Sequence, residues 1–179
     1  RPVSSAASDV YKRQMLIGHL LTTEPLVADA PARSLCGRCR ACIDACPTTA
    51  IREPFVVDSN RCLAYHTIEN RESQLPEAIR TALGPWIAGC DICQDVCPWN
   101  HRNLPVSEEP ELQPKAWMLD LKRDDLLQWD DATWDERLRG SALRRIKPWM
   151  WRRNATAAEP DQAPTPVSYT HLRAHETSQ

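Results

Sequence analysis

The sequence predicts an α+β fold in which a cysteine-rich module is followed by a small α-helical, repeat-like module. Three observations predict it: all eight cysteines lie within 34–100, short β-prone and helical patterns separate them, and five of the seven tryptophans lie in 117–153 among many arginines. The chain has 179 residues, is 42% hydrophobic and carries a formal net charge of -2. These values are typical of a soluble protein with one or two small domains.

Composition divides the chain into segments. Residues 1–14 and about 166–179 resemble translated sequencing-adapter read-through, so we expect disorder in 1–14 and 159–179 and assign no role to His171 or His175. The other predicted segments are a linker from a preceding domain at 15–33, the cysteine module at 34–100, a proline-containing linker at 101–116 and the helical module at 117–158.

Nothing in the sequence predicts a membrane-bound or exported protein. No apolar run reaches the roughly 18 residues of a transmembrane helix, and the first apolar stretch, 15–21, is shorter than an export signal requires. We therefore expect a cytoplasmic protein without a membrane partner. In that reducing compartment, clustered thiols favour metal binding over disulfides.

The spacing of the cysteines predicts two iron–sulfur clusters. In "CGRCRACIDACP", residues 36–47, three cysteines recur at every third position, and a fourth follows after three further residues and precedes proline. In bacterial two-cluster ferredoxins such a fourth cysteine binds the other cluster. The second motif, "CDICQDVCP" at 90–98, repeats these spacings, and Cys62 stands where an insertion would displace the remaining ligand.

If each cluster takes one ligand from the other motif, all eight cysteines are used as ligands. The predicted ligands are Cys36, Cys39, Cys42 and Cys97 for the first 4Fe–4S cluster, and Cys46, Cys62, Cys90 and Cys93 for the second. Two zinc sites would also use eight thiolates, although cysteines at i, i+3 and i+6 are rare in zinc sites. Disulfides are a further alternative, which the missing export signal disfavours.

The residues between the cysteines predict a few short elements. Two β-prone pieces flank Pro54 in 50–58 and predict a small hairpin. The insertion at 62–90 predicts one short helix that begins near Pro76 and ends at Gly84. The apolar stripe of this helix would comprise Leu75, Ile79 and Leu83.

The helical module is expected to pack through Trp117, Leu121 and Trp134. By helical spacing, its core would also include Leu138, Leu143, Ile146 and Trp149. Residues 137–153 contain seven basic residues and no acidic one. This stretch is a candidate phosphate-binding face, with an ordinary solvated surface as the alternative. The isolated histidines, expected to be surface or satisfied core residues, are His19, His66 and His101.

Four stretches together resemble the epoxyqueuosine reductase family, which makes queuosine in tRNA. They are "CGRCRACIDACPTTAI", "DSNRCLAYHTIENR", "GCDICQDVCPWN" and "GSALRRIKPWMWRRNA". The similarity covers about residues 15–158. Many ferredoxins share the cysteine motif, whereas the combination of residues 97–100 and 140–145 is more specific.

This resemblance implies an oxidoreductase that converts epoxyqueuosine to queuosine in tRNA, with two 4Fe–4S clusters and cobalamin as cofactors. An unidentified flavodoxin- or ferredoxin-like donor would supply the electrons. The resemblance also implies that a cobalamin-binding catalytic domain precedes Met15. We therefore expect no catalytic residue in this sequence, a monomer, and a chain that is inactive alone.

Position by position, the resemblance implies cobalamin contacts from Ala64, where the family pattern has serine, and from Cys90 and Asp91. It implies tRNA contacts from Arg144 and Arg145.

Tyr65 and Thr67 follow the candidate cobalamin contact and are expected to be core residues.

Two other protein classes remain open. A stand-alone two-cluster ferredoxin or electron-transfer subunit would need only the cysteines. A reductive dehalogenase relative would also use cobalamin and two clusters, but its cysteine module lacks the tail seen at 140–145.

Overall fold

The computed structural model describes residues 20–31, 36–100 and 115–158. The elements are helix α1 (Ala41–Asp44), strands β1 (Ile51–Glu53) and β2 (Val56–Val57), and helices α2 (Leu63–Ile68), α3 (Glu77–Ala82), α4 (Ile92–Asp95), α5 (Ala116–Leu119), α6 (Arg123–Leu127), α7 (Asp131–Leu138) and α8 (Pro148–Ala157). Short 3-10 helices lie at Ser59–Arg61, Pro98–Asn100 and Ala142–Arg145. These short helices and the two-stranded sheet agree with the predicted α+β class.

None of the helices in these ranges has the length and apolar character that crossing a membrane requires. Residues 20–31 form no helix or strand, and their side chains are exposed. The expectations for 1–14, 101–114 and 159–179, together with those for His19 and His101, lie outside the described residues.

The predicted hairpin is confirmed. Strands β1 and β2 pair antiparallel, with Ile51 opposite Val57. The turn between them places Phe55 at a φ of 68°. An ion pair between Arg52 Nη2 and Asp58 Oδ2, at 2.5 Å, closes the open end of the hairpin. The hairpin thus follows directly after the first cysteine motif and leads into the residues before Cys62.

The insertion between Cys62 and Cys90 contains two helices, so the prediction of one was wrong. Helix α3 is as predicted, with its apolar stripe buried and Gly84 at a φ of 53° after its end. Helix α2 was missed because "LAYHTI" is rich in β-prone residues and has no side-chain cap at its start. A buried contact from another helix holds it in place: Asn154 Nδ2 on α8 donates to the carbonyl oxygen of Thr67 at 2.8 Å.

His66 on α2 is a satisfied core residue, as expected. Its Nε2 donates to the carbonyl oxygen of Asn60 at 2.8 Å, and its Nδ1 accepts from Asn70 Nδ2 at 2.9 Å. The amide orientation of Asn70 is supported by its Oδ1, which accepts from the Glu72 N–H at 2.9 Å. Both ring nitrogens therefore have a hydrogen-bond partner.

The core of the helical segment differs in part from the predicted one. Its buried members are Leu126, Trp129, Leu138, Ile146, Met150, Trp151 and Ala155. The predicted packing residues Trp117, Leu121 and Trp134 lie at its edge, partly buried, as does Leu143. Trp149 is 37% exposed, so its assignment to the core was wrong. Helix α7 ends at Leu138 and α8 begins at Pro148, and this break changes the helical phase that the spacing had assumed.

Helix α8 packs on the insertion as well as on its own segment. Ala158, directly after α8, joins a second buried cluster with Leu63, Leu75, Ile79 and Leu83. The guanidinium of Arg153 donates to the carbonyl oxygens of His66 at 2.8 Å and Asn70 at 3.0 Å. The helical segment is therefore in direct contact with the residues between Cys62 and Cys90.

Candidate metal centre

The two cysteine motifs adopt similar local structures. Each contains a four-residue helix, α1 or α4, and the two helices contact each other. In the first motif the Cys39 N–H donates to the carbonyl oxygen of Cys36 at 2.9 Å, forming a tight turn in which Gly37 has a φ of 53°. In the second, the Gln94 N–H donates to the carbonyl oxygen of Asp91 at 2.8 Å. Such turns bring cysteines three residues apart to one side of the backbone.

The first group of four cysteines surrounds one cavity. The residues that line it are Cys36, Cys39, Ala41, Cys42, Cys97, Pro98 and Trp99. Cys97 comes from the second motif, as the crossed arrangement requires, and it is the buried member of the group. Ala41, Pro98 and Trp99 add apolar side chains to the lining, while Cys39 is exposed.

The second group gathers around Cys90. Burial raises the pKa of the Cys90 thiol to about 11; a hydrogen bond from the backbone of Ile92 partly opposes this, and the negative charges of the remaining three predicted ligands add to it. Those three cysteines are Cys93, Cys62 and Cys46. This mutual repulsion shows that Cys46, from the first motif, lies near the Cys90 side of the molecule.

Backbone groups stabilise the thiolate form of Cys46. Its Sγ accepts from the Ala50 N–H at 3.2 Å and lies 3.7 Å from Thr48 Oγ1. Burial raises the pKa of this thiol, but hydrogen bonds from Ile51, Ala50 and Thr48 outweigh burial and lower it overall. Hydrogen bonds to ligand sulfurs are one means by which proteins set cluster potentials.

Arg61 connects the two ends of the hairpin and so brings Cys62 back towards Cys46. Its Nε donates to the carbonyl oxygen of Thr48 at 2.9 Å, and its Nη2 donates to Thr49 Oγ1 at 2.5 Å. Thr49 has a φ of 50° in this turn. The residue before Cys62 is therefore tied to the loop that follows Cys46.

The cysteines supply the thiolate donors that 4Fe–4S clusters require. In the described part of the chain, no three Cys, His, Asp or Glu side chains form a group that could hold one metal ion. A cubane cluster has a different requirement, because each of its four irons takes one thiolate at a separate corner. Four thiols line the cavity at Cys97, and four lie near Cys90, where backbone N–H groups donate to Cys46 and Cys90.

The candidate cobalamin residues lie on adjacent segments. Ala64 is half-buried on α2, and Cys90 and Asp91 lie just before α4, where Asp91 is exposed. Thr67 Oγ1 links the two segments, since it lies 3.2 Å from the carbonyl oxygen of Ala64 and accepts from the Gly89 N–H at 3.0 Å.

The expectation that Tyr65 and Thr67 are core residues holds for only one of them. Thr67 is fully buried and belongs to the core, as expected, whereas Tyr65 is 38% exposed. The ring of Tyr65 stands edge-on to the imidazole of His66, with 5.3 Å between the ring centroids.

Arg144 and Arg145 each face a carboxylate. Arg144 pairs with Asp135 and stacks over the ring of Trp134, 4.9 Å from its centroid. Arg145 Nε lies 2.5 Å from Glu69 Oε1. The charges of these two arginines are therefore partly balanced within the protein.

Sequence reasoning missed the polar residues that surround the cysteines. Arg61, Thr48 and Asn154 lie within the stretches that carry the resemblance, but the sequence assigned them no role. Asn154 on α8 is fully buried and donates to the carbonyl oxygens of Thr67 and Ile87, both at 2.8 Å. The available signal was Gly89, because a glycine directly before a ligand often marks a special backbone conformation.

Comparison with known proteins supports this description of the site. Residues 35–100 match the family model of a 4Fe-4S double cluster binding domain. The chain is 74% identical over 151 residues to the epoxyqueuosine reductase of Synechococcus sp. (strain CC9605), covering 84% of this chain and 47% of that protein. It is 62% identical over 140 residues to the epoxyqueuosine reductase of Prochlorococcus marinus (strain NATL2A), covering 78% of this chain and 45% of that protein.

The fold is also similar to solved structures. A crystal structure of epoxyqueuosine reductase with a tRNA-Tyr epoxyqueuosine-modified tRNA stem loop matches with a TM-score of 0.67 and 30% identity, covering 74% of this chain and 35% of that chain. The chain spans about half the length of the curated relatives it matches.

Proposed function

Because this chain is a partial-length member of the epoxyqueuosine reductase family, we propose that it relays electrons through two 4Fe–4S clusters to the site where epoxyqueuosine in tRNA is reduced to queuosine. The clusters supply one-electron transfer when bound. The proposed ligands are Cys36, Cys39, Cys42 and Cys97 for the first cluster, and Cys46, Cys62, Cys90 and Cys93 for the second.

One observation carries this proposal: each group of four thiols takes one member from the other motif. Cys97 shares a cavity with three cysteines of the first motif, and Cys46 lies close enough to Cys90 to raise the pKa of its thiol. Exchange of the fourth ligand ties two clusters into one module, as in bacterial two-cluster ferredoxins. Such an arrangement suits electron transfer between neighbouring centres.

The rest of the proposal concerns the whole protein. A cobalamin, if bound beside the second cluster, would meet the exposed side of α2 and the start of α4, where Ala64, Cys90 and Asp91 lie. A separate flavodoxin- or ferredoxin-like protein would provide the electrons. The tRNA substrate places the reaction in the cytoplasm.

Reconstitution with iron and sulfide tests the proposal directly. Under anaerobic conditions the 179-residue chain is expected to bind about eight iron atoms, since two 4Fe–4S clusters require that number. Chemical reduction should then give the electron paramagnetic resonance spectrum of two interacting clusters. Binding of about two zinc ions with full retention of structure, and no iron uptake, would contradict the proposal.

Alanine variants of single cysteines assign the two groups. We expect Cys39→Ala to weaken the first cluster and Cys93→Ala to weaken the second, so that each variant keeps about four iron atoms. Cys97→Ala should resemble Cys39→Ala, because both cysteines line the same cavity. If Cys97→Ala instead resembled Cys93→Ala, the crossed assignment would be wrong.

We also propose that the basic stretch 137–153 contributes to tRNA binding, with Arg144 and Arg145 as the main candidates. Support comes from the charge pattern and from the tRNA stem loop in the related crystal structure. Each arginine lies beside a carboxylate, so binding a phosphate means exchanging one anionic partner for another. This exchange limits the affinity that each arginine can add.

Salt dependence of tRNA binding measures this contribution. Replacing both Arg144 and Arg145 with alanine is expected to lower the slope of log affinity against log salt by about one to two, since each lost phosphate contact releases about one counterion fewer. Arg80→Ala is the matched control, because Arg80 is exposed and pairs with Glu77 at 2.5 Å outside the basic stretch. Equal slopes for the double variant, the control and the unaltered chain would show that the stretch is only a solvated surface.

A further inference from the structure

Two buried side chains hold the backbone that leads into Cys90. The Gly89 N–H donates to Thr67 Oγ1 at 3.0 Å, and the carbonyl oxygen of Ile87 accepts from Asn154 Nδ2 at 2.8 Å. Thr67 belongs to α2, whereas Asn154 belongs to α8 near the other end of the described chain. The approach to Cys90 is thus fixed at two points within its three preceding residues.

The hydrogen bonds of Thr67 and Asn154 form one connected network. Both side chains are 0% exposed. Thr67 Oγ1 donates to the carbonyl oxygen of Leu63 at 2.9 Å, which leaves a lone pair to accept from Gly89. Asn154 also donates to the carbonyl oxygen of Thr67 at 2.8 Å and accepts from Arg153 Nε at 3.0 Å. Loss of any member would leave buried polar groups without partners.

The conformation of Gly89 explains why the hydrogen bonds to residues 87–89 matter for the direction in which the Cys90 side chain points. Gly89 has a φ of 86°, which side-chain-bearing residues rarely adopt. A Cβ at this position would lie 3.8 Å from Ile68 Cδ1, an ordinary contact, so the backbone angle and not crowding requires glycine. A flexible residue at this point needs an external hydrogen bond to hold one conformation, and Thr67 provides it.

We propose that Thr67 and Asn154 are positioning residues for the second cluster. They hold residues 87–89 so that the thiol of Cys90 joins its three partner cysteines. The inference rests on the proposed function, because it takes Cys90 as a cluster ligand. It also assigns the helical segment a role at the cluster. Through Asn154, helix α8 helps to position Cys90, which lies more than 60 residues earlier in the sequence.

A purely structural role for these residues makes a different prediction. Loss of general stability would release both clusters together, whereas a positioning role affects the second cluster and spares the first. The cavity proposed for the first cluster is lined by residues of the two cysteine motifs and by none of α2 or α8. The first cluster therefore serves as an internal measure of folding in every sample.

The test is anaerobic reconstitution of the full chain followed by challenge with an iron chelator. Thr67→Val keeps the side-chain volume but removes the hydroxyl that Gly89 needs. We expect the second cluster of this variant to lose iron about tenfold faster than in the unaltered chain, with the first cluster unchanged. Spectra of the Cys39→Ala and Cys93→Ala variants, each of which retains one cluster, identify which cluster is lost.

Thr81→Val is the matched control. Thr81 Oγ1 makes the same kind of bond, to the carbonyl oxygen of Glu77 four residues earlier at 3.0 Å, but Thr81 is exposed on α3. Asn154→Ala provides an independent variant and should show the same selective loss as Thr67→Val. Its control is Thr156→Ala, an exposed position on the same helix.

The outcomes separate the two proposals. If the unaltered chain fails to take up two clusters, the proposed function fails and this inference falls with it. If the unaltered chain holds two clusters, but Thr67→Val and Asn154→Ala release iron at the control rates or release both clusters equally, only the positioning role is overturned. Selective loss of the second cluster in both variants supports it.

Discussion

Removing iron from the reconstituted protein is expected to unfold residues 36–58 while the helical segment 115–158 keeps its structure. Residues 36–58 bury little apolar surface, and their buried hydrophobic side chains are Ala50 and Ile51. Metal binding must therefore supply much of the folding free energy of this part, as in small metal-dependent domains. The helical segment has a buried core of its own, which contains no cysteine.

Hydrogen exchange measured by peptide mass spectrometry checks this result. After complete chelation under reducing conditions, backbone amides of 36–58 should exchange at nearly unprotected rates, whereas those of α6 and α8 should stay protected. The far-ultraviolet ellipticity should fall only in part. Unchanged protection of 36–58 in the iron-free protein would show that the clusters do not hold this region together.

Replacing Met150 with alanine is expected to destabilise the protein by about 2–5 kcal/mol. Met150 on α8 is 0% exposed and packs in the helical core. Its Sδ also accepts from Arg71 Nη1 at 2.6 Å, which connects α8 to the residues after α2. Truncation therefore leaves a cavity and removes one hydrogen-bond partner of Arg71, which is itself exposed.

Met118→Ala is the matched control for this substitution. Met118 on α5 is 38% exposed, so its loss should change the free energy of unfolding by less than about 1 kcal/mol. Urea unfolding of the iron-loaded protein, followed by tryptophan fluorescence, compares the two variants. Equal midpoints for Met150→Ala and Met118→Ala would contradict the packing of α8 described above.

Local sequence patterns were sufficient to predict much of the fold. The stripe of Leu75, Ile79 and Leu83 and the stop at Gly84 defined α3, because helix formation and termination depend on neighbours within a few residues. The hairpin around Pro54 followed in the same way. The grouping of cysteines into two motifs is also local, since a short turn alone brings cysteines three residues apart to one side.

Other predictions failed or fell short where a distant segment decided the outcome. Trp149 has the spacing of a core residue, but the break between α7 and α8 turned it outward and placed Met150 inside. Helix α2 has weak local propensity and depends on partners from α8, since Asn154 and Arg153 donate to its backbone carbonyls.

The sequence by itself determined that this protein has two cysteine motifs, a small hairpin and a tryptophan-rich helical segment, because spacing and periodicity are properties of neighbouring residues. Only the tertiary structure decided how Arg61 brings Cys62 back to Cys46, and how Asn154 supports the approach to Cys90. These contacts are hydrogen bonds to backbone carbonyls, which every residue possesses. No residue type in the sequence therefore marks the partner, and only the packing of the folded chain selects it.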